Sequence, residues 1–178
     1  MELYPHAHPM LSWLATLEHH FISVWLRESP SLWAFPFVLY LHTLGLALLA
    51  GLSVGIDIWV LAGKPWPKSL SIVGLHRVMW LGFAINALSG LALLLAYPAK
   101  ALTNWVFFAK LLLIALAVVV IGQLRKEVFT PTATQPLSVS LRARYLAIGS
   151  LCLWAGAILA GRLLAYTHTI LLASEISF

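Results

Sequence analysis

Four long apolar runs, separated by short polar segments, dominate the pattern of the chain. Each run can supply the roughly 20 apolar residues that a helix needs to cross about 30 Å of hydrocarbon. The predicted spans cover residues 33–61, 75–97, 104–124 and 144–166. Turn-forming residues bound them, since the first run ends at Gly63 and the second stops at Pro98. We therefore expect an all-α membrane protein whose residues 31–178 form a four-helix transmembrane bundle.

A shorter amphipathic segment precedes the first span. Apolar side chains recur there at three- and four-residue spacing, at Leu14, Leu17, Phe21 and Val24. The segment is too polar to cross the membrane, because Glu18, His19, His20 and Arg27 would all lose their hydration. Residues 1–30 are therefore predicted to hold an amphipathic helix, over residues 9–27, that lies in the membrane interface.

Composition agrees with a membrane protein, and charge suggests its orientation. The chain is 61% hydrophobic and 10% charged, against about 25% charged residues in soluble domains. The loops after the first and third spans carry Lys64, Lys68, Arg77, Arg125, Lys126, Arg142 and Arg144, and the opposite side carries Arg27, Lys100 and Arg162. Because basic residues concentrate in cytoplasmic loops, both termini are expected on the outer, periplasmic side of a bacterial cytoplasmic membrane. No basic cluster with interleaved aromatic residues indicates nucleic-acid binding.

One histidine lies inside the first apolar run. His42 follows Trp33 by nine residues, about 13 Å along a helix and therefore within the hydrocarbon. A polar group at that depth needs a partner inside the bundle. Two interpretations remain open: a neutral imidazole that hydrogen-bonds to a carbonyl, serine or asparagine of a neighbouring helix, or an axial ligand of a b-type haem. Gly45, one turn further on, leaves a shallow dip where a macrocycle or a neighbouring backbone could approach.

A six-coordinate haem would need a second axial ligand. The candidates are His168, just after the fourth span, and His20 or His19 in the amphipathic segment. His168 shares a helix face with Gly161 but is expected about 12 Å above His42. His19 and His20 are expected on the same outer side of the membrane. One of them could reach the outer end of the cofactor if the amphipathic helix packs against the bundle.

Three charged side chains in the spans have alternative roles. Arg162 can extend its charge toward the headgroups, or bind a haem propionate or an acidic lipid. Lys110 can likewise extend outward, or bind a propionate or a quinone carbonyl. Asp57, near the inner end of the first span, is expected to pair with a basic residue of the inner loop, either Lys64, Lys68 or Arg77. Proton uptake at a quinone site is the alternative for this carboxyl group.

Several apolar motifs follow the order found in a group of bacterial membrane proteins. These motifs are SLWAFP at 31–36, LHTLGLALLAG at 41–51, NALSGLALLL at 86–95, FFAKLLL at 107–113 and LWAGAILAGRLLAY at 153–166. Over residues 25 to 168 the chain resembles CopD-like four-helix membrane proteins and their uncharacterised relatives. More distantly it is similar to HemJ-type protoporphyrinogen oxidases, which bind b-type haem through a histidine early in the first helix, and His42 looks like the matching position. LAGLSVGIDIW lacks the basic residue after a Leu-Pro pair found in that family, which argues against the oxidase activity.

The sequence therefore predicts a membrane subunit that binds b-type haem and transfers electrons between an outer-side cytochrome or dehydrogenase and the quinone pool. Lipid and other subunits of a redox complex are the expected partners. One alternative is a cofactor-free membrane anchor or assembly subunit of a larger complex. Another is a copper-handling protein, suggested by the CopD-like resemblance and by His6 and His8.

Overall fold

The computed structural model describes residues 9–63, 71–129 and 140–167. Within these ranges the chain is helical and has no strand. The helices are α1 (Pro9–Glu18), α2 (Phe21–Glu28), α3 (Phe35–Ala62), α4 (Ile72–Ala96), α5 (Pro98–Leu102), α6 (Trp105–Phe129) and α7 (Leu141–Tyr166). Four of them, α3, α4, α6 and α7, are long and apolar enough to cross a membrane. The predicted class, an all-α membrane bundle with four spans, is confirmed.

Local sequence explains where the long helices begin and end. The Ser71 hydroxyl accepts a hydrogen bond from the Gly74 amide at 3.1 Å at the start of α4, and Ser140 caps α7 in the same way through Ala143. α3 ends at Gly63, whose φ of 64° lies in the left-handed region that glycine adopts without strain. α6 continues to Phe129, beyond the predicted limit at residue 124, because its charged last turn prolongs the backbone helix past the apolar run.

The spanning helices pack as two antiparallel pairs. α3 packs along α4, α6 packs along α7, and contacts between α3 and α7 join the pairs. α4 and α6 line opposite sides of a groove. We call the end of the bundle where α3 begins the Phe35 end, and the end where it stops the Ala62 end.

α3 and α4 approach each other closely at two glycines. A Cβ atom on Gly45 would lie 2.6 Å from the Asn86 backbone nitrogen and 2.8 Å from the Gly82 carbonyl oxygen. A Cβ on Gly82 would lie 2.7 Å from the Cβ of Leu48. The dip expected beside His42 is therefore filled by the backbone of α4, and this crossing brings the two helices into direct contact.

The N-terminal segment differs from the single helix expected over residues 9–27. α1 ends at Glu18 and α2 begins at Phe21, with His20 at the N-cap in an extended conformation. The Ser23 hydroxyl donates to the Leu95 carbonyl at 2.6 Å, and Arg27 donates to the Ala96 carbonyl at 3.4 Å. α2 therefore satisfies carbonyl groups at the C-terminal end of α4 and packs against the Phe35 end. Its place in the membrane interface stays a prediction.

α5 is a short helix that the sequence pattern did not predict. It begins at Pro98, which supplies a fixed φ for the first helical position. Leu14 of α1 and Ala99 of α5 are both buried and form a small apolar cluster. The Phe35 end is thus covered by helices on which the hydropathy pattern gave little information.

An apolar cluster closes the middle of the bundle. Its buried members are Leu49, Ala50, Met79, Ala117, Trp154 and Ala157. The Trp154 indole donates to the Ser53 hydroxyl at 3.0 Å, and that hydroxyl lies 3.4 Å from the one on Ser150. The indole nitrogen of Trp154, the only polar atom of that side chain, therefore has a hydrogen-bond partner inside the bundle, as a buried indole requires.

We expect Gly45→Ala to destabilise the protein by about 1–3 kcal/mol, because the added methyl group meets backbone atoms that cannot move independently. Gly55→Ala is the matched control, since a Cβ at this other α3 glycine has no neighbour within 4 Å. The control should be neutral or stabilising by up to about 1 kcal/mol through helix propensity. Unfolding in mixed detergent micelles measures both variants. Equal stability of the two would contradict the close crossing.

Candidate functional site

His42 contacts α4 through one ring nitrogen. Its Nδ1 atom lies 3.1 Å from the Asn86 backbone oxygen and 3.2 Å from the Ser89 hydroxyl. The Asn86 side-chain amide donates to the His42 backbone oxygen at 2.8 Å. The Asn86 side chain thus bonds to the His42 backbone, and the Asn86 backbone bonds to the His42 side chain. These two bonds hold α3 and α4 together at this level.

The hydrogen-bond pattern assigns the tautomer of His42. The Ser89 hydroxyl donates to the Ile85 carbonyl at 2.6 Å, so a lone pair of its oxygen is available to the ring. The Asn86 carbonyl can only accept. The Asn86 amide nitrogen also lies 3.4 Å from Nδ1, but its shorter bond to the His42 carbonyl is the stronger one. We therefore place the proton on Nδ1, which leaves Nε2 as an acceptor.

Lys110 of α6 faces that acceptor. Its Nζ lies 3.5 Å from His42 Nε2, a long hydrogen bond. Among the described residues no carboxylate pairs with this ammonium, because the ion pairs there join Arg27 to Glu28 and Arg142 to Glu127. Lys110 is thus a cation within a spanning helix whose nearest polar partner is a neutral imidazole, an arrangement that often marks a functional site.

Two glycines make room for these side chains. A Cβ on Gly90 of α4 would lie 3.2 Å from His42 Cε1, and a Cβ on Gly161 of α7 would lie 3.7 Å from Lys110 Cε. The imidazole therefore rests against α4, and the lysine stem passes over α7. We define the His42 cluster as His42, Asn86, Ser89 and Lys110.

The other residues predicted for the site have different outcomes. His168 lies outside the described residues, as do His6 and His8. His19 and His20 are exposed between α1 and α2, and the Nδ1 atom of His20 accepts from the Ile22 amide at 3.4 Å at the start of α2. Arg162 is exposed on α7. Of the predicted set, the structure brings together His42 and Lys110.

Asp57 does not form the expected ion pair with Arg77. Its side chain is 0% exposed, and neither carboxyl oxygen has a hydrogen-bond partner among the described residues. The Ser150 hydroxyl lies near this carboxyl group but outside hydrogen-bonding geometry. Lys64 and Lys68, the other expected partners, fall in the undescribed 64–70 segment.

The donor set in the described ranges fits one axial ligand to haem and no multidentate metal site. No group of three or more histidine, cysteine, aspartate or glutamate side chains there could hold a metal ion. His42 has the features of a ligating histidine, in which one nitrogen donates to a carbonyl and the other keeps its lone pair. A second ligand is not found beside it in that part of the chain.

Comparisons with protein-family models, curated proteins and solved structures find no match to this chain. The class of the protein rests on its structure, which is that of an all-α integral membrane protein with four spanning helices. The resemblance to CopD-like and HemJ-type proteins stays an expectation from sequence.

We expect nitrogen-15 NMR of the protein with labelled histidine to show the His42 proton on Nδ1, because acceptors surround that atom. Lys110→Met should shift the Nε2 resonance and leave Nδ1 nearly unchanged, since the ammonium contacts Nε2 alone. His42→Gln assigns the signals by their loss. A proton found on Nε2 would show that the tautomer is assigned wrongly.

Proposed function

We propose that this protein is a membrane subunit that binds one b-type haem through His42 Nε2 and transfers electrons. The observation that supports the proposal is the ring orientation: Nδ1 donates to the Asn86 carbonyl at 3.1 Å, and the lone pair of Nε2 points toward α6, where its partner is the Lys110 ammonium in a long contact of 3.5 Å. A hydrogen bond of this kind sets the tautomer of metal-ligating histidines and raises their basicity.

Lys110 is the side chain that haem binding must move. Its ammonium lies 3.5 Å from Nε2, so ligation requires the flexible four-carbon stem to turn away. The stem lies against Gly161, which has no side chain of its own to restrict it. Because no carboxylate pairs with the ammonium in the described ranges, it is suited to bind a propionate after it moves.

The bound haem would supply a one-electron redox centre. Asn86 and Ser89 would hold the imidazole plane, and the apolar surroundings would exclude water from it. His168, His20 or His19 would hold the haem together with His42, and Arg162 or Lys110 would bind a propionate. Electrons would pass between a cytochrome or dehydrogenase at the Phe35 end and the quinone pool, with both termini on the periplasmic side.

A second candidate function is a cofactor-free anchor or assembly subunit. It is favoured by the observation that both ring nitrogens of His42 already have partners, on α4 and α6. In this case the His42 cluster is a polar contact that joins three helices. Such contacts contribute about 0.6 kcal/mol on average, and up to about 1.7 kcal/mol, in membrane proteins.

An oxidised-minus-reduced optical spectrum of the purified protein tests the haem proposal. We expect a Soret band and a reducible alpha band when the protein is expressed with ample haem, and His42→Ala should abolish both. Thr43→Val is the matched control, because this neighbouring α3 residue is exposed and its hydroxyl bonds only to the Leu39 carbonyl at 3.0 Å of its own helix. A colourless wild-type preparation would refute the proposal, as would a spectrum that survives His42→Ala.

Stability of His42→Gln tests the anchor function. If no haem is bound, we expect this variant to lose no more than about 2 kcal/mol of unfolding free energy, because the amide can replace part of the hydrogen bonding. It should keep its association with partner subunits in a pull-down from the membrane. Loss of association in a folded His42→Gln protein would count against a purely structural role.

A further inference from the structure

The groove between α4 and α6 is large enough for a small-molecule ligand. It is an open groove with about 660 Å³ of space, within the usual range for ligand pockets. Most of its wall is apolar and includes the aromatic side chains of Trp80 and Phe83, and His76, Arg125 and Lys126 lie at the Ala62 end. Gly122 of α6 contributes an open stretch, because a Cβ there would have no neighbour within 4 Å.

A small chamber extends behind this groove to Asp57. It has about 30 Å³ of space and is lined by Asp57 and Ser53 of α3, and it shares His76 and Arg125 with the groove. This volume holds about one water-sized group. The carboxyl group is 0% exposed, and both of its oxygens lack hydrogen-bond partners among the described residues. A buried polar group of this kind is costly unless something bonds to it.

The polar groups of the chamber and groove lie at one level of the bundle. Asp57 is five residues before Ala62, where α3 ends, and His76 is four residues after Ile72, where α4 begins. Arg125 is likewise four residues before the end of α6. A ligand at this level would meet an acceptor at the back and hydrogen-bond donors at the entrance. The His76 Nε2 atom accepts from the Trp80 indole at 2.8 Å, so the proton of the neutral ring is on Nδ1.

We propose that this groove binds a lipophilic quinol or quinone, with one ring oxygen in the chamber against Asp57. As a carboxylate Asp57 would accept a hydrogen bond from a quinol hydroxyl, and as an acid it would donate to a quinone carbonyl. The ring would lie on the apolar wall near Trp80 and Phe83, and the second oxygen would face Arg125 or His76. Its use as an electron partner rests on the proposed function, but binding itself requires no haem.

A phospholipid headgroup fits the same space less well. The basic residues at the Ala62 end would attract a phosphate, but the Asp57 carboxylate at the back of the chamber would repel it. The chamber also admits a hydroxyl or carbonyl oxygen and is too small for a phosphate group. A quinol or quinone ring is therefore the better occupant, because one of its two oxygens can bond to Asp57 in the chamber and the other to the hydrogen-bond donors at the entrance.

Photolabelling tests the proposal on the full chain in phosphatidylcholine nanodiscs. The probe is an azido-substituted decyl-1,4-benzoquinone, with and without its chemically reduced form, and mass spectrometry locates the adducts. We expect adducts on α4 residues 72–83 and α6 residues 118–126, with competition by unlabelled decylbenzoquinone. Gly122→Phe should fill the groove and reduce this labelling at least about tenfold, whereas Gly149→Phe, at an equally open glycine of α7, should not change it.

Asp57 variants separate the chamber from the groove. Asp57→Leu should weaken competition by the decylbenzoquinone about tenfold, the effect of losing one hydrogen bond to a charged or acidic group, and Asp57→Asn should weaken it less. Labelling that survives Gly122→Phe would overturn the proposal. So would displacement of the probe by phosphatidylglycerol with no effect of Asp57→Leu, which would assign the groove to lipid.

The optical spectrum of the same preparations distinguishes this proposal from the haem proposal. Gly122→Phe and Asp57→Leu lie away from the His42 cluster and should leave any haem spectrum unchanged. If a colourless protein is labelled, the haem proposal is refuted and the quinol site is retained. If the protein has a haem spectrum but is not labelled, the quinol site is refuted and the haem proposal is retained.

Discussion

The hydrogen bonds between His42 and α4 depend on one constraint, which is that a polar group within the hydrocarbon must find its partners inside the bundle. The partner of the imidazole is a backbone carbonyl, and a helix interior offers such a group only at very close approach. Gly45 and Gly82 permit that approach, because any side chain at either position would separate the helices. Asn86 then completes the contact by donating to the His42 carbonyl. Helix packing and the histidine site are thus one feature of this fold.

The interior holds two polar levels with an apolar layer between them. His42 and Asp57 are fifteen residues apart on α3, about 22 Å along the helix. Leu49, Met79 and Trp154 are buried in the layer between them. The hydrogen bonds of Trp154 and Ser53 lie on the Asp57 side of this layer, and no hydrogen bond among the described residues joins them to the His42 cluster. The two polar levels are therefore separate sites within the bundle.

Hydropathy was sufficient to predict the four spans, since each is an apolar run bounded by turn residues. It could not predict the break between α1 and α2 or the short helix at Pro98, because those segments are fixed by tertiary contacts such as that of Ser23 with Leu95. The sequence singled out His42 and Lys110, but not their proximity. Asn86 could have been found as the partner from its place between glycines 82 and 90. Of the three basic residues expected to pair with Asp57, Arg77 does not do so, because sequence distance does not show which way a carboxyl group points; Lys64 and Lys68 lie outside the described residues.

The two proposed sites place different demands on the protein. In the His42 cluster every polar atom of the ring already has a partner, so a haem must compete with Lys110 for Nε2. In the chamber, by contrast, the Asp57 oxygens have no hydrogen-bond partner among the described residues, and a ligand adds bonds without breaking any. Burial of an unsatisfied carboxyl group reduces stability, and such a group is usually retained at the expense of stability where function requires it. Of the two sites, a ligand at Asp57 would therefore increase the free energy of unfolding more, because it would give the buried carboxyl group hydrogen bonds that it lacks among the described residues.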